Sequence, residues 1–369
     1  MAGFVFSGRM FRTNLRKDGI DLMEQRSIDV GVLGATGVVG QHFVSRLSRH
    51  PWFKPVWLAA SERSEGKSYR DAAPWRLATP MPAEAAGRTV DACVPGRAPQ
   101  IVFSGLDASV AGEVEGAFAA AGHIVVSNAR NFRMDPLVPL LIPEVNADHL
   151  SLIAEQRRVK GWTGAIVTNP NCSTIVLASA LAPLRPFGVT KVIVQTMQAV
   201  SGAGYPGVPS LDILGNVVPY IGGEEDKMET ETQKILGTDG GRAPHAMRIS
   251  AHTNRVPVID GHTITVSVEF AQAPAIADLV EAMRTFKGRP QELGLPSAPN
   301  PAIEVMTEPN RPQPRLDADR GDGMTVCVGR VRPCPVFHVK FVALAHNVVR
   351  GAAGAAILNA ELMVGEGLI

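Results

Sequence analysis

The chain has 369 residues, of which 45% are hydrophobic, 19% charged and 5% aromatic, a composition that fits a soluble globular α/β protein and excludes a disordered one. At about 150 residues per domain, it holds two or three. Lys and Arg total 36 against 35 Asp and Glu, a net charge of +1, which leaves no bulk field for nucleic acid or an anionic membrane surface. The four cysteines, Cys93, Cys172, Cys327 and Cys334, form neither a CxxC pair nor a Cys/His cluster at zinc spacing. They point away from a metal site or a disulfide framework and towards a reducing, cytoplasmic setting.

Residues 1–27 carry five basic and three acidic groups without an apolar run of signal-peptide length, and read as a disordered tail or as upstream of a start at Met23. The first strand is predicted at Ile28–Leu33, entering Gly34-Ala35-Thr36-Gly37-Val38-Val39-Gly40 and a helix through Leu47. Short β-rich runs follow at Pro55–Ala60, Gln100–Ser104 and His123–Ser127, separated by helix-like stretches such as Val110–Ala121. Such alternation predicts a doubly wound parallel sheet. The uncharged stretch Gly161–Leu184 is broken by Thr, Asn, Pro and Ser, so it does not read as a membrane span. After about residue 172 the strands lengthen: Lys191–Ala199, the strictly alternating His262–Phe270, and Phe337–Ala345. One face of the alternating strand is left exposed or at an interface, which points to a sheet-mediated homo-oligomer. The Ala-rich stretch Val348–Leu362 reads as a closing helix. The predicted class is α/β: a nucleotide-binding domain of residues 28–171 plus 348–369, and a mixed-sheet α+β catalytic and oligomerisation domain of residues 172–347.

Four motifs carry chemistry. Gly34, Gly37 and Gly40 lie between a strand and a helix, where glycine lets the backbone approach a pyrophosphate at the helix N-terminus. About 20 residues on, Ser61, Arg63, Ser64 and Lys67 offer donors for a 2′-phosphate, with Glu62 in opposition. If this segment is extended, alternation turns Glu62 away from the ribose. In Asn169-Pro170-Asn171-Cys172-Ser173-Thr174, the hydroxyls and the proline mark a helix start. Cys172 there is a candidate nucleophile, with the helix dipole favouring its thiolate. The other three cysteines read as small core residues. Gly261-His262 opening a strand exposes an imidazole. Glu224 and Lys227, three apart at a helix start, share one face and by themselves read as solvated.

These segments, together with Ser127–Arg133, Gln198–Gly204, Arg255–His262 and Arg315-Leu316-Asp317, resemble the aspartate-β-semialdehyde dehydrogenase family, most closely its fungal/archaeal-type branch. The resemblance runs in order from about residue 28 to the C-terminus. It departs at Thr253, where the family often has cysteine. It implies NADPH-dependent reductive dephosphorylation of aspartyl-β-phosphate to aspartate-β-semialdehyde through a cysteine thioester, in lysine, threonine and methionine biosynthesis. By resemblance Cys172 is the nucleophile, His262 the general acid/base, and Gln198 orients the reacting carbonyl. Arg255 and Glu224 grip the amino-acid head, while Arg133, Lys227 and Asn128 hold phosphate. NADP contacts are implied for Gly34, Thr36, Gly37, Val38, Val39, Ser61, Arg63, Ser64, Ser104, Ser201, Gly202 and Asn347. The implied partners are the aspartyl substrate and inorganic phosphate, within a homodimer or homotetramer.

The residues agree with that implication. A substrate with a carboxylate, an ammonium and an acyl phosphate needs a guanidinium fork, a carboxylate and a basic pocket. Related reductases acting on malonyl-CoA or N-acetylglutamyl phosphate would leave Glu224 without an ammonium to meet. A nucleotide-binding scaffold with a dead site has no physical need for Cys172, Gln198, Arg255 and His262 together.

Overall fold

The computed structural model describes residues 27–369, so the expectations for the N-terminal tail lie outside the described residues. Six strands build the first sheet: β1 (Ile28–Leu33), β2 (Phe53–Ala60), β3 (Val90–Ala92), β4 (Ile101–Ser104), β5 (Ile124–Ser127) and β6 (Ala165–Thr168). They pair in parallel in the order β3-β2-β1-β4-β5-β6. This is the doubly wound order whose reversal point lies between the first and fourth strands, where ligands bind beyond the carboxyl ends. Helices α1 (Val38–Leu47), α2 (Ala108–Ala120) and α3 (Leu152–Lys160) are its longer crossovers. The short β3 and β6 were not read from the sequence; β6 lies inside the uncharged stretch considered above.

In the second sheet the strands are β7 (Val189–Gln198), β8 (Arg248–Arg255), β9 (His262–Phe270), β10 (Ile303–Met306), β11 (Val326–Pro333) and β12 (Val339–Ala345). Their order is β10-β11-β12-β9-β7-β8, with the β7/β8 and β10/β11 pairs parallel and the rest antiparallel. The alternation of β9 sends Ile264, Val266, Val268 and Phe270 into the core, leaving Thr265, Ser267 and Glu269 half-buried.

Two helices matter most for the site. In α4 (Cys172–Leu181) every residue after the cysteine is buried, as its apolar sequence demands of a helix without a polar face. Next to it lies α5 (Glu224–Ile235), packed on both α4 and β8. At the end of the chain, a π-helical turn at Val349–Ala353 precedes α6 (Gly354–Gly365), and both share the first sheet's core with Val30, Val32 and Phe103. The closing helix therefore begins with a π turn, where a plain α-helix was expected.

Register explains why the two sheets can share a site. Leu33, Ser104, Ser127 and Thr168 are neighbours at the carboxyl edge of the first sheet. Gln198 pairs with Arg255, and His262 pairs with Ala345, at one edge of the second. Among the described residues, no helix is long and apolar enough to cross a membrane.

Candidate active site

The glycine loop after β1 has the backbone its sequence predicts. Gly34 holds a φ of +71°, and a Cβ there would lie 2.8 Å from the Gly105 carbonyl oxygen. A Cβ on Gly40 would meet the Gly34 carbonyl oxygen at 2.2 Å. Gly37 caps α1 without a side-chain hydrogen bond, so the first N–H groups of that helix are left for an anion. A dinucleotide pyrophosphate fits this cradle. Val38 and Val39 line the adjoining cleft of about 540 Å³, as do Asn128, Arg133, Cys172, Ser201, Gly202, Glu224, Lys227, Arg255 and Asn347.

Asn171 caps α4, its Oδ1 accepting from the Ser173 and Thr174 N–H groups at 2.9 and 3.1 Å. That puts Cys172 in the first turn, with Sγ 3.2 Å from His262 Nε2. The Ala199 N–H donates to His262 Nδ1 at 3.1 Å. A ring nitrogen that accepts a backbone N–H holds no hydrogen, so in the neutral imidazole the hydrogen sits on Nε2, facing the sulfur. Burial, then the neighbouring Arg255, pull the His262 pKa down to about 3.

Two expectations need correction here. His262 is not exposed at a Gly-His step; it is fully buried behind Gly202, where a Cβ would come within 2.9 Å of the imidazole. Nor is Cys172 a resting thiolate. Burial first, and the Glu224 carboxylate second, push its thiol up to about 12, outweighing the first-turn dipole.

Three cations line the cleft with Cys172, each held by the protein. Arg255 donates to the Ala199 carbonyl at 2.7 Å, and Lys227 pairs with Glu224 at 3.1 Å. Glu224 is buried and also accepts from Asn171 Nδ2 at 2.6 Å, so its helix face is not solvated. Arg133 donates to the Asn128 carbonyl at 2.8 Å, and its Nε is buried without a partner. Asn169 Nδ2 donates to both Asn128 Oδ1 and the Ala352 carbonyl at 2.8 Å, tying this loop to the π turn.

The remaining expected residues do not line the cleft. Gln198 is buried, with Nε2 3.3 Å from Thr196 Oγ1. Ser104 is fully buried under its loop, where its side chain offsets only part of the burial that raises the Glu115 pKa. Ser61, Arg63 and Ser64 follow β2, with Ser61 and Arg63 exposed and Ser64 buried. The chain turns there, with the Ser64 N–H on the Ser61 carbonyl at 2.8 Å. The extended segment invoked to turn Glu62 away is absent, because β2 ends at Ala60.

Sequence reading missed Glu231, whose Oε1 pairs with Arg133 Nη1 at 3.1 Å while Oε2 accepts the Asn171 N–H at 2.6 Å. Its one signal was its place on the helix face of Glu224, seven residues on. Also missed was the buried Arg350–Glu144 pair, bonded twice at 2.8 Å beside the π turn.

Comparison with known proteins finds two family models. Residues 29–153 match the semialdehyde dehydrogenase NAD binding domain, and residues 181–350 the semialdehyde dehydrogenase dimerisation domain. The aspartate-semialdehyde dehydrogenase of Cryptococcus neoformans is 52% identical, the match covering 93% of this chain and 98% of that one. That of Archaeoglobus fulgidus is 51% identical over 92% and 99%. A crystal structure of the Candida albicans aspartate semialdehyde dehydrogenase with NADP superposes with a TM-score of 0.85 at 44% identity, covering 93% of this chain and all of that one. A Vibrio cholerae aspartate semialdehyde dehydrogenase II complexed with ASA gives 0.71 at 28%, over 92% and 98%.

Proposed function

This chain belongs to the aspartate-semialdehyde dehydrogenase family, and from that premise we propose that it catalyses the NADPH-dependent reduction of aspartyl-β-phosphate to aspartate-β-semialdehyde through a thioester on Cys172. The observation that carries the reading is the approach of Cys172 Sγ to His262 Nε2, 3.2 Å, inside a cleft that also holds Arg133, Lys227, Glu224 and Arg255.

Each side chain then has a task. Arg255 binds the substrate α-carboxylate and Glu224 its ammonium, while Arg133, Lys227 and Asn128 take the phosphate. Cys172 Sγ attacks the acyl carbon, the bond to the phosphate oxygen breaks, and the thiol proton leaves with the phosphate. The His262 Nε2–H hydrogen-bonds the carbonyl oxygen as negative charge builds there. The loop at Gly34 and Gly37 with the N-terminus of α1 would hold NADPH, which would supply a hydride to the acyl carbon. The carbon–sulfur bond then breaks, the aldehyde departs, and the Cys172 thiolate takes up a proton from water. Gln198, at the end of β7 and outside the cleft's lining, is given the role of orienting the reacting carbonyl by the family resemblance alone.

The dimerisation-domain match and the half-buried face of β9 support a homo-oligomer, either dimer or tetramer. The biosynthetic role, supply of the aldehyde for lysine, threonine and methionine, and a cytoplasmic location follow from the same reading. The test is turnover by purified protein given aspartate semialdehyde, phosphate and NADP. Reduced nicotinamide beyond one equivalent per active site should accumulate only with all three present, whereas continued turnover without phosphate or arsenate would point to a different leaving group.

A further inference from the structure

One face of α5 carries Glu224, Lys227, Glu231 and Lys234, residues that recur every three or four positions and so point the same way. The first two belong to the reaction above. Glu231 and Lys234 are both buried and meet neither cofactor nor substrate in that account.

What they hold is informative. Lys234 Nζ donates to the carbonyls of Arg133, Asp135 and Val138 at 2.8, 2.8 and 3.0 Å, fixing the backbone of the loop that bears Arg133. Glu231 acts one step further out, on the guanidinium. Its carboxylate takes one N–H of Nη1 and the Asn128 carbonyl one of Nη2; Nε is buried without an acceptor, and each Nη keeps a second hydrogen. A planar guanidinium pinned at two nitrogens has a single orientation. The second carboxylate oxygen of Glu231 takes the N–H of Asn171, the residue before the nucleophile. One carboxylate thereby sets the arginine's orientation relative to the sulfur.

We propose that Glu231 is a positioning residue for the phosphate subsite, acting through Arg133 and referenced to the backbone at Asn171. The inference rests on the reading of Arg133 as a phosphate ligand. Physics offers an opposing role: a carboxylate 3.1 Å from the arginine also cancels its charge and so weakens anion binding. The two roles have opposite signs, and the sign can be measured. Glu231→Gln keeps the shape and removes the charge. Its amide oxygen can still accept from Asn171, leaving its NH₂ against the guanidinium, donor to donor. Positioning makes phosphate bind more weakly; charge cancellation makes it bind more tightly.

The experiment is a calorimetric titration of inorganic phosphate into the NADP-loaded protein, for wild type, Glu231→Gln, Arg133→Ala and the double variant, with melting temperatures recorded alongside. Glu231→Gln should raise the phosphate Kd by about tenfold or more, with the KM for the aldehyde and the Kd for NADP within about twofold of wild type. In the Arg133→Ala background the same change should add nothing, because the residue through which it acts is gone. Unchanged or tighter phosphate binding by Glu231→Gln, or an effect that adds in full to Arg133→Ala, overturns the proposal. Should Glu231→Gln fail to fold, Glu231→Asp, too short to reach both donors, goes through the same titration with the same two readings. Wild type that binds phosphate without turning over the aldehyde contradicts the reaction and leaves this inference standing. Wild type that binds no phosphate overturns the inference.

Discussion

Cys172 sits between two opposing influences. The first turn of α4 and the guanidinium groups of Arg133 and Arg255 favour a thiolate, while burial and the Glu224 carboxylate oppose it. The opposing pair prevails, and the thiol is pushed up to about 12. Below its pKa, the thiolate fraction grows tenfold per pH unit, and only the thiolate alkylates. Iodoacetamide labelling of Cys172 should therefore climb about tenfold per unit and reach no plateau below about pH 10. A plateau near neutrality would mean a preformed thiolate–imidazolium pair. Glu224→Gln removes the second cause and should speed labelling at any fixed pH. Cys334 should react ahead of Cys172 in the free protein. Slight burial raises its thiol, but N–H groups of Phe337 and Val336 outweigh that and hold it below the usual range. The motif around Cys172 was legible as a loop entering a helix. The sign of its pKa was not, because burial and Glu224, fifty-two residues away in sequence, arise only on folding.

At the scale of elements, the π turn at Val349–Ala353 packs against Cys172, the proposed nucleophile. A Cβ on Gly351 would lie 2.6 Å from the Cys172 Cβ, and the adjacent Arg350 is clamped to Glu144 with both side chains at most 3% exposed. The turn cannot move away without disturbing that pair, so Gly351→Ala should displace Cys172 instead. We expect kcat to fall by about 10²-fold from misplacement of the nucleophile, with NADP affinity near wild type; retained kcat would show that the turn yields. Strands with strong alternation or apolar runs, such as β1 and β9, could be read directly. The strand β8 could not: Arg248-Ile249-Ser250-Ala251-His252-Thr253-Asn254-Arg255 is an edge strand with one face under α5, and its polar residues hide the period. Nor could the π turn, since an extra residue in a helical turn leaves an Ala-rich sequence looking like ordinary helix. Glu231 was passed over because a charge inside a helix reads as solvent-facing until its partners, Arg133 and Asn171, 98 and 60 residues earlier in the chain, are in place.

Taken whole, the molecule joins the carboxyl edge of a parallel sheet to one edge of a mixed sheet, and the cleft between them runs from the glycine loop to Cys172. The turn after β2 lies beyond the cleft's lining and carries the exposed Arg63. With alternation no longer available to turn Glu62 aside, cofactor choice rests on charge: Arg63 and Lys67 against Glu62. A charge-assisted contact is worth about 1.5–3 kcal/mol, or one to two decades. NADP should be preferred over NAD by at least about tenfold in kcat/KM, with Arg63→Ala erasing most of the difference. Equal use of both cofactors, or a ratio untouched by that substitution, would place 2′-phosphate recognition elsewhere.

The central claim is that Cys172 carries the acyl group. Its most direct measurement is peptide mass mapping after the protein is mixed with aspartate semialdehyde and NADP in the absence of phosphate, then quenched in acid. The account predicts an aspartyl thioester on the peptide containing Cys172, discharged when phosphate is added before the quench and absent in Cys172→Ser. An acyl group on another residue, or turnover by Cys172→Ser, would contradict it.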